Sequence, residues 1–548
     1  MQEAADSAAR RGVTLADRVR HAATDRPDDP ALIWHDRTLT WSQLDDAVDR
    51  VAAVLRAATP AATPATRVAI ALPNTPDFAV AFFATLRAGL VAVPINPGCT
   101  APELRHVLVD SGATTLICTE AVREHVDEIR TGAPALTAVH VGLPPVADRP
   151  AVPEPAAADP TGRRPADRAD LAVLLYTAGT EGRPKGAMLT HRALLANHEQ
   201  LAGITPAVLG PDDVVLLALP LFHAYGLGAG LGAVAYHGAC AVLIDRFDPG
   251  ETLSAIARHQ VTTVVGVPSM FLAWSLLPEL GEAMASVRLT ACGAAPLDTA
   301  TSARFTEVTR HPVFVGYGLT EAAPVLTSTL VSPVAKESSI GRPIPGVELR
   351  LVSADGDVVW ASGAAADEPD DDGWELDPES SGTDPGQIVV RGENLFSGYW
   401  PAGRDGPDAD GWWATGDIAY ADADGDLFLV DRLGELILVN GFNVYPREVE
   451  LVLGGHAAVA ESAVVAAPHP YTGQTVKAYV VRATGADVTA EDLIRYCERQ
   501  LARFKCPTVV EFVADLPHSA IGKVRKTLLR SVPAPRAAGR PTEVPDVR

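Results

Sequence analysis

The first residues that could do chemistry lie where an apolar run, Leu171–Tyr176, passes into Thr177-Ala178-Gly179-Thr180-Glu181-Gly182-Arg183-Pro184-Lys185-Gly186. A buried strand that opens into Thr and Gly and then a Lys suits a polyphosphate. Backbone N–H groups face its oxygens, and one ammonium offsets its charge. The spacing is not that of a Walker A loop. On these residues alone, a flexible Gly-rich turn is the competing reading. Only six of the 45 Lys and Arg residues are Lys, so a Lys inside a motif is a pointed feature of this chain.

Three further segments carry similar potential. In Gly316-Tyr317-Gly318-Leu319-Thr320-Glu321, glycines beside an aromatic admit a flat ring, Thr can bond a phosphate, and Glu can hold Mg²⁺ through oxygen. In Gly411-Trp412-Trp413-Ala414-Thr415-Gly416-Asp417, an acid after a turn can accept hydrogen bonds from ribose hydroxyls. Ser519-Ala520-Ile521-Gly522-Lys523 offers one Lys on a small-residue loop. Each is ambiguous by itself.

The elements that must position these residues read as α/β. Apolar spacing predicts a helix over Ser42–Ala57 after a Thr40 start, a short strand in Arg67–Asn74, a helix over Asp77–Ala88 and a strand in GLVAVPINP. That order implies a layered domain with parallel pairing. A Pro- and Ala-rich stretch from Gly142 to Asp170 reads as a linker. The acidic stretch 361–386 reads as a solvated loop, with a docking patch for a basic partner as the alternative. Beyond Asp431, two short strands (AVVAAP and VKAYVV) and an amphipathic helix over Glu491–Phe504 form a small α+β unit. The tail after Arg530 reads as disordered.

At 548 residues the chain exceeds one ordinary domain. Its net charge of −23 argues against a nucleic-acid surface and against docking on anionic lipid. Six scattered cysteines, without CxxC pairs, speak for a reducing cytosol and against disulfides or a metal cluster. No secretory leader or membrane span is expected, so the expected location is cytoplasmic.

Taken in order, YTAGTEGRPKGAMLTH, LPLFHAYGL, GYGLTEAAP, GWWATGDIA, DRLGELILVNGFNVYPREVE and LPHSAIGKVRKTLLR resemble the adenylate-forming superfamily, within its acyl-CoA synthetase branch. The resemblance runs from about Thr14 to Arg530. It implies a large layered N-terminal domain (residues 1–431, α/β sheets with helices plus a β-rich subdomain) and a small mobile α+β C-terminal domain (432–530), followed by the tail 531–548. It implies ATP/AMP, Mg²⁺ and coenzyme A as cofactors or substrates. By position, Thr177, Ala178, Gly179, Thr180, Glu181, Gly182 and Lys185 are implied along the β- and γ-phosphates. Tyr317 is implied on adenine, with Gly318 beside it and Gly293, Ala294 and Ala295 on the other side. Thr320 is implied at the α-phosphate, Glu321 at Mg²⁺, and Asp417 with Arg432 at the ribose. Lys523 matches the adenylation lysine, Gly434 the hinge, and Gly441 and Phe442 the thiol-side loop.

His223 stands where amino-acid-activating relatives carry Asp, which points away from a free α-amino acid. The following HAYGLGAGLG is implied beside the acyl group. Its glycines either leave room for a long or bulky apolar acid or let helices pack. Trp274 and Phe314 are open between cavity wall and core.

Three positions depart from the family pattern: Ala178 for Ser, Glu181 for Thr, and Gly434 where Asp or Lys is usual. A carboxylate about 5 Å from a phosphate charge costs about 3 kcal/mol at an effective dielectric near 20. These departures raise a thioesterification-only ligase, fed with acyl-adenylate by a partner adenylating enzyme, as an alternative. Acyl loading onto a carrier-protein thiol and a silent acyl- or nucleotide-binding homologue are the others. Retained Lys523, Glu321 and Asp417 oppose the last. The oligomeric state is open between monomer and homodimer.

Overall fold

The computed structural model describes residues 14–58, 66–129, 132–145, 167–177, 184–363, 382–432, 435, 437–439, 442–469, 473–501, 503–519 and 523–530. Residues 146–166 of the expected linker 142–170, residues 364–381 of the acidic stretch 361–386, and the tail from 531 fall outside these residues. The chain divides into two compact units, one reaching Val430 and the other beginning at Asp431.

Local sequence explains the N-terminal elements well. The helix Trp41–Ala57 starts at Thr40, whose hydroxyl accepts from the Gln43 N–H at 3.3 Å while the Gln43 side chain accepts from the Thr40 N–H at 3.0 Å. Trp41, Leu44, Val48, Val51 and Leu55 are buried at helical spacing, so one stripe faces the core. Strand Arg67–Ala71 is buried from Val68 onward because it pairs in parallel on both sides and helices cover both faces. It belongs to a six-stranded sheet whose edge is the antiparallel pair Leu171–Thr177 and Lys185–Thr190.

A second sheet has nine strands, largely parallel, and runs through Thr263–Gly266, Leu289–Cys292 and Val313–Gly318 to the antiparallel Val325–Ser328. A third, five-stranded and antiparallel, contains Gly386–Arg391 and Trp412–Ala421. The large unit is therefore layered α/β with a β-rich portion. Trp274 is fully buried, gives its indole N–H to Thr252 Oγ1 at 2.8 Å and packs edge-on against Phe271, so it is a core residue.

In the second unit the two expected short strands are long, Val459–His469 and Gly473–Arg482, and pair antiparallel. Val509–Phe512 adds in parallel to the latter. The expected helix over Glu491–Phe504 is shorter, Ala490–Glu498. The chain turns after Cys497, whose carbonyl accepts from both the Gln500 and Leu501 N–H groups, and a 3₁₀ turn at Arg503–Lys505 follows. Stopping early lets Cys506 bury and the next strand join the sheet. Lys526 is largely buried between Glu435 (2.9 Å) and Glu450 (2.8 Å). Desolvation alone would lower its pKa, but the two carboxylates outweigh it and hold the ammonium charged.

Candidate active site

Strand Val313–Gly318 delivers Tyr317 to its C-terminal end, where the sheet switches from parallel to antiparallel pairing. Gly318 has no alternative there, since a Cβ would stand 1.9 Å from the Pro324 carbonyl oxygen. Tyr317 is half-buried, and its phenol donates to Asp417 Oδ2 at 2.7 Å. Asp417 comes from strand Trp412–Ala421 of the antiparallel sheet, is 6% exposed, and its N–H donates to Thr415 Oγ1 at 3.1 Å. One side chain from each sheet thus meets at a single point.

A short 3₁₀ turn, Thr320–Ala322, follows directly. It is fixed by buried amides. Asn394 Nδ2 donates to the Ala322 carbonyl at 2.8 Å, Asn197 Nδ2 donates to the Val325 carbonyl at 2.8 Å, and Gln200 Nε2 donates to Asn394 Oδ1 at 3.1 Å. The turn buries the Glu321 carboxylate to 7% exposure, where Oε1 accepts from the Tyr399 phenol at 2.6 Å. Sequence reasoning did not single out Tyr399, Asn394 or Asn197. The Gly-Tyr pair at 398–399 was the available signal.

On the other side, Gly293, Ala294 and Ala295 form the loop after strand Leu289–Cys292. Ala294 has φ +68°, a left-handed conformation that costs an L residue energy and holds the loop in a defined bend. A Cβ on Gly293 would stand 3.0 Å from the Tyr225 ring, so Tyr225 and this loop close on each other. Burial pushes the Tyr225 phenol and the Cys292 thiol well up, and both stay neutral. His223 Nδ1 accepts from the Tyr225 N–H at 3.2 Å. The helix Gly226–Gly232 is a π-helix, and its glycines are contact points. A Cβ at 226, 228, 230 or 232 would come within 2.3 Å of Pro220 O, 2.6 Å of Pro324 Cδ, 3.0 Å of Leu217 Cδ2 or 2.7 Å of His198 Nε2. These contacts support the reading in which the glycines let neighbouring segments pack.

Thr177 pairs directly with Lys185 in the antiparallel edge pair. Lys185 Nζ lies 5.4 Å from the Tyr399 ring centroid and 3.7 Å from Asp405 Oδ2. Ala178, Gly179, Thr180, Glu181 and Gly182 lie outside the described residues, as do Gly434 and Gly441.

The AMP-binding enzyme family pattern matches residues 19–400, and the AMP-binding enzyme C-terminal domain pattern matches 448–523. The chain belongs to the AMP-binding enzyme family. It is a member of the adenylate-forming superfamily, in the acyl-CoA ligase branch. It is 37% identical over 499 residues to a feruloyl-CoA synthase of an Amycolatopsis species, covering 90% of this chain and 93% of that relative. It is 33% identical over 554 residues to a long-chain-fatty-acid–CoA ligase of Yersinia pestis, covering 94% of each. Among solved structures, ATP-bound MatB from Rhodopseudomonas palustris superposes with a TM-score of 0.79 at 30% identity, over 94% of this chain and 98% of that one.

Arg432, Phe442 and Lys523 lie in the second unit. Arg432 ends strand Leu427–Arg432 and Phe442 opens strand Phe442–Val444. Lys523 is exposed at the end of a hairpin in which its N–H donates to Ser519 Oγ at 3.1 Å and its carbonyl accepts from the Ser519 N–H at 2.8 Å. At the base of that hairpin His518 bridges to Val524 and its Nε2 lies 2.7 Å from Glu461 Oε1. All six cysteines are buried free thiols, and burial raises Cys99 and Cys118 to about 11. No helix among the described residues is long and apolar enough to cross a membrane.

Proposed function

We propose that this enzyme, an AMP-forming acid–thiol ligase, joins an apolar carboxylic acid to coenzyme A through an acyl-adenylate. The observation that carries the reading is the meeting of Tyr317, Asp417 and the Thr320–Glu321 turn at the switch between two sheets, within a family whose ATP-bound member has the same fold. Open α/β sheets bind ligands outside the carboxyl ends of their parallel strands, and Tyr317 lies at that end of strand Val313–Gly318.

In this reading Tyr317 and the Gly293–Ala295 loop hold adenine, and Asp417 with Arg432 holds the ribose. Thr320 faces the α-phosphate, while Thr177, Lys185 and the loop between them face the β- and γ-phosphates. The fit to Mg²⁺ rests on Glu321, a buried carboxylate on a rigid turn and a hard oxygen donor of the kind that ion takes. Mg²⁺ bound there would offset polyphosphate charge. Lys523 has the adenylation role in this reading, its ammonium stabilising charge that grows as the carboxylate oxygen bonds to phosphorus and pyrophosphate departs. In the second half-reaction the sulfur of coenzyme A bonds to the acyl carbon and AMP departs, with Gly441 and Phe442 beside the thiol.

His223 and Tyr225 face the acid. The packed glycines of 226–232 and the Tyr225 ring favour a compact, bulky acid over a long chain lying along this helix. A panel of aryl-propenoic and fatty acids, assayed with ATP and coenzyme A, tests this. Faster turnover of the fatty acids would reverse the preference. A second reading, thioesterification of a supplied acyl-adenylate alone, is favoured by Ala178 and Glu181 and opposed by the retained Lys523. Replacing coenzyme A with a phosphopantetheinylated carrier protein tests the acceptor.

A further inference from the structure

Tyr399 touches both ends of the polyphosphate machinery. Its phenol donates to Glu321 Oε1 at 2.6 Å, and its ring lies under the Lys185 ammonium at 5.4 Å. The strip that carries it is built into both partners' backbones. The Phe396 N–H donates to the Glu321 carbonyl at 2.8 Å, the Ser397 N–H donates to the Met188 carbonyl at 2.9 Å, and the Trp400 N–H donates to the Gly186 carbonyl at 2.8 Å. Gly398, at φ +91°, brings the strip against Gly403, where a Cβ would stand 2.3 Å from a carbonyl oxygen. Phe396, 2% exposed, packs edge-on against the Tyr399 ring at 5.0 Å and fixes its plane. The strip therefore has little freedom to shift without moving either the Glu321 turn or the strand that begins at Lys185.

We propose that Tyr399 is a positioning residue that couples metal binding to triphosphate binding, resting on the functional reading above. A carboxylate that receives a phenol hydrogen bond keeps one orientation and aims its oxygens at the cation. The Lys185 ammonium lies over the aromatic face while also pairing with Asp405 Oδ2 at 3.7 Å, so the ring shares it with the carboxylate that competes with phosphate for it. One ring thus presets the anion that takes the cation and the cation that takes the anion. The two ligands, ATP and its divalent ion, then bind as a unit.

The two functions of the ring separate by substitution. Tyr399→Phe keeps the aromatic face and removes the hydroxyl, while Tyr399→Leu removes both. Calorimetric titration is run with AMP, with ATP in EDTA, and with ATP across a Mg²⁺ series. In Tyr399→Phe, the Kd for ATP in saturating Mg²⁺ and the half-saturating Mg²⁺ concentration each rise about tenfold, the scale of one charge-assisted hydrogen bond. Its affinities for AMP and for ATP in EDTA stay at the wild-type values. Tyr399→Leu additionally weakens ATP in EDTA, because Lys185 loses the aromatic face while its pair with Asp405 remains. An unchanged Mg²⁺ dependence in Tyr399→Phe overturns the coupling role. So does equal weakening of AMP and ATP, which marks a general loss of structure. Wild type failing to bind ATP·Mg²⁺ overturns the functional reading itself, and is thereby distinct from failure of the coupling.

Discussion

The phenol of Tyr317 and the carboxylate of Asp417 share a hydrogen bond of 2.7 Å across 100 residues of sequence. The bond ties the parallel sheet to the antiparallel one at the point where nucleotide is proposed to bind. It also orients the aromatic ring, since the phenol can reach Asp417 from few rotamers.

Tyr317→Phe keeps the stacking face and removes this tie. AMP affinity should fall about tenfold, the scale of a hydrogen bond to a charged group. Tyr317→Leu should fall further by the stacking contribution. Calorimetric titration with AMP checks both, and equal affinities for Phe and Leu variants would mean that the ring does not meet adenine.

Lys523 is assigned to the first half-reaction only. Lys523→Ala should abolish acid-dependent pyrophosphate exchange, a loss of about 3 kcal/mol or more in transition-state stabilisation. Thioester formation from a supplied acyl-adenylate should continue. Equal loss of both half-reactions would remove the assignment.

The glycine helix separates packing from pocket. Gly232→Ala pushes a methyl toward the buried His198 ring, 2.7 Å from Nε2, and should destabilise the fold by about 1–3 kcal/mol. The acid preference of the variant should match wild type. A narrowed acid range with an unchanged melting temperature would return these glycines to the pocket wall.

His198 gives a pH signature. It is fully buried, and among the described residues neither ring nitrogen has a hydrogen-bond partner. Burial, with His237 and Arg18 adding, lowers its pKa from 6.5 to about 3. The unfolded chain therefore binds a proton that the folded one refuses. Stability is complete above pH 6.5 and declines as pH falls toward 3, at a slope approaching 1.4 kcal/mol per pH unit for this group. His191, lowered to about 4, acts in the same direction. His198→Leu should lose less melting temperature than wild type between pH 7 and pH 5. Parallel curves would show that His198 is not a source of the acid sensitivity.

Much of the scaffold was legible in local patterns. Thr40 and Gln43 mark a helix start, and the run Val68–Ala71 marks a doubly covered strand. The motif residues Tyr317, Glu321 and Asp417 were legible as chemistry. Their mutual arrangement was not, because it depends on two sheets meeting and on buried amides, Asn197 and Asn394, that carry no motif. Tyr399 was hidden for the same reason, since only folding brings it to Glu321. The glycines of 226–232 were legible as small and as candidates for packing, but their partners Pro220, Pro324 and His198 were not, because those lie on other segments. The helix over Ala490–Glu498 ended earlier than its apolar spacing suggested because the chain turns after Cys497 and passes through a 3₁₀ turn at Arg503–Lys505 before the strand Val509–Phe512.

The most direct test is a product balance on purified enzyme. Acid, ATP, Mg²⁺ and coenzyme A are supplied in one reaction, and synthetic acyl-adenylate with coenzyme A in a second. The account predicts that the first reaction yields acyl-CoA, AMP and pyrophosphate in equal amounts, and that Lys523→Ala stops it while sparing the second. Acyl-CoA from the second reaction alone in wild type, with no pyrophosphate from the first, would contradict it.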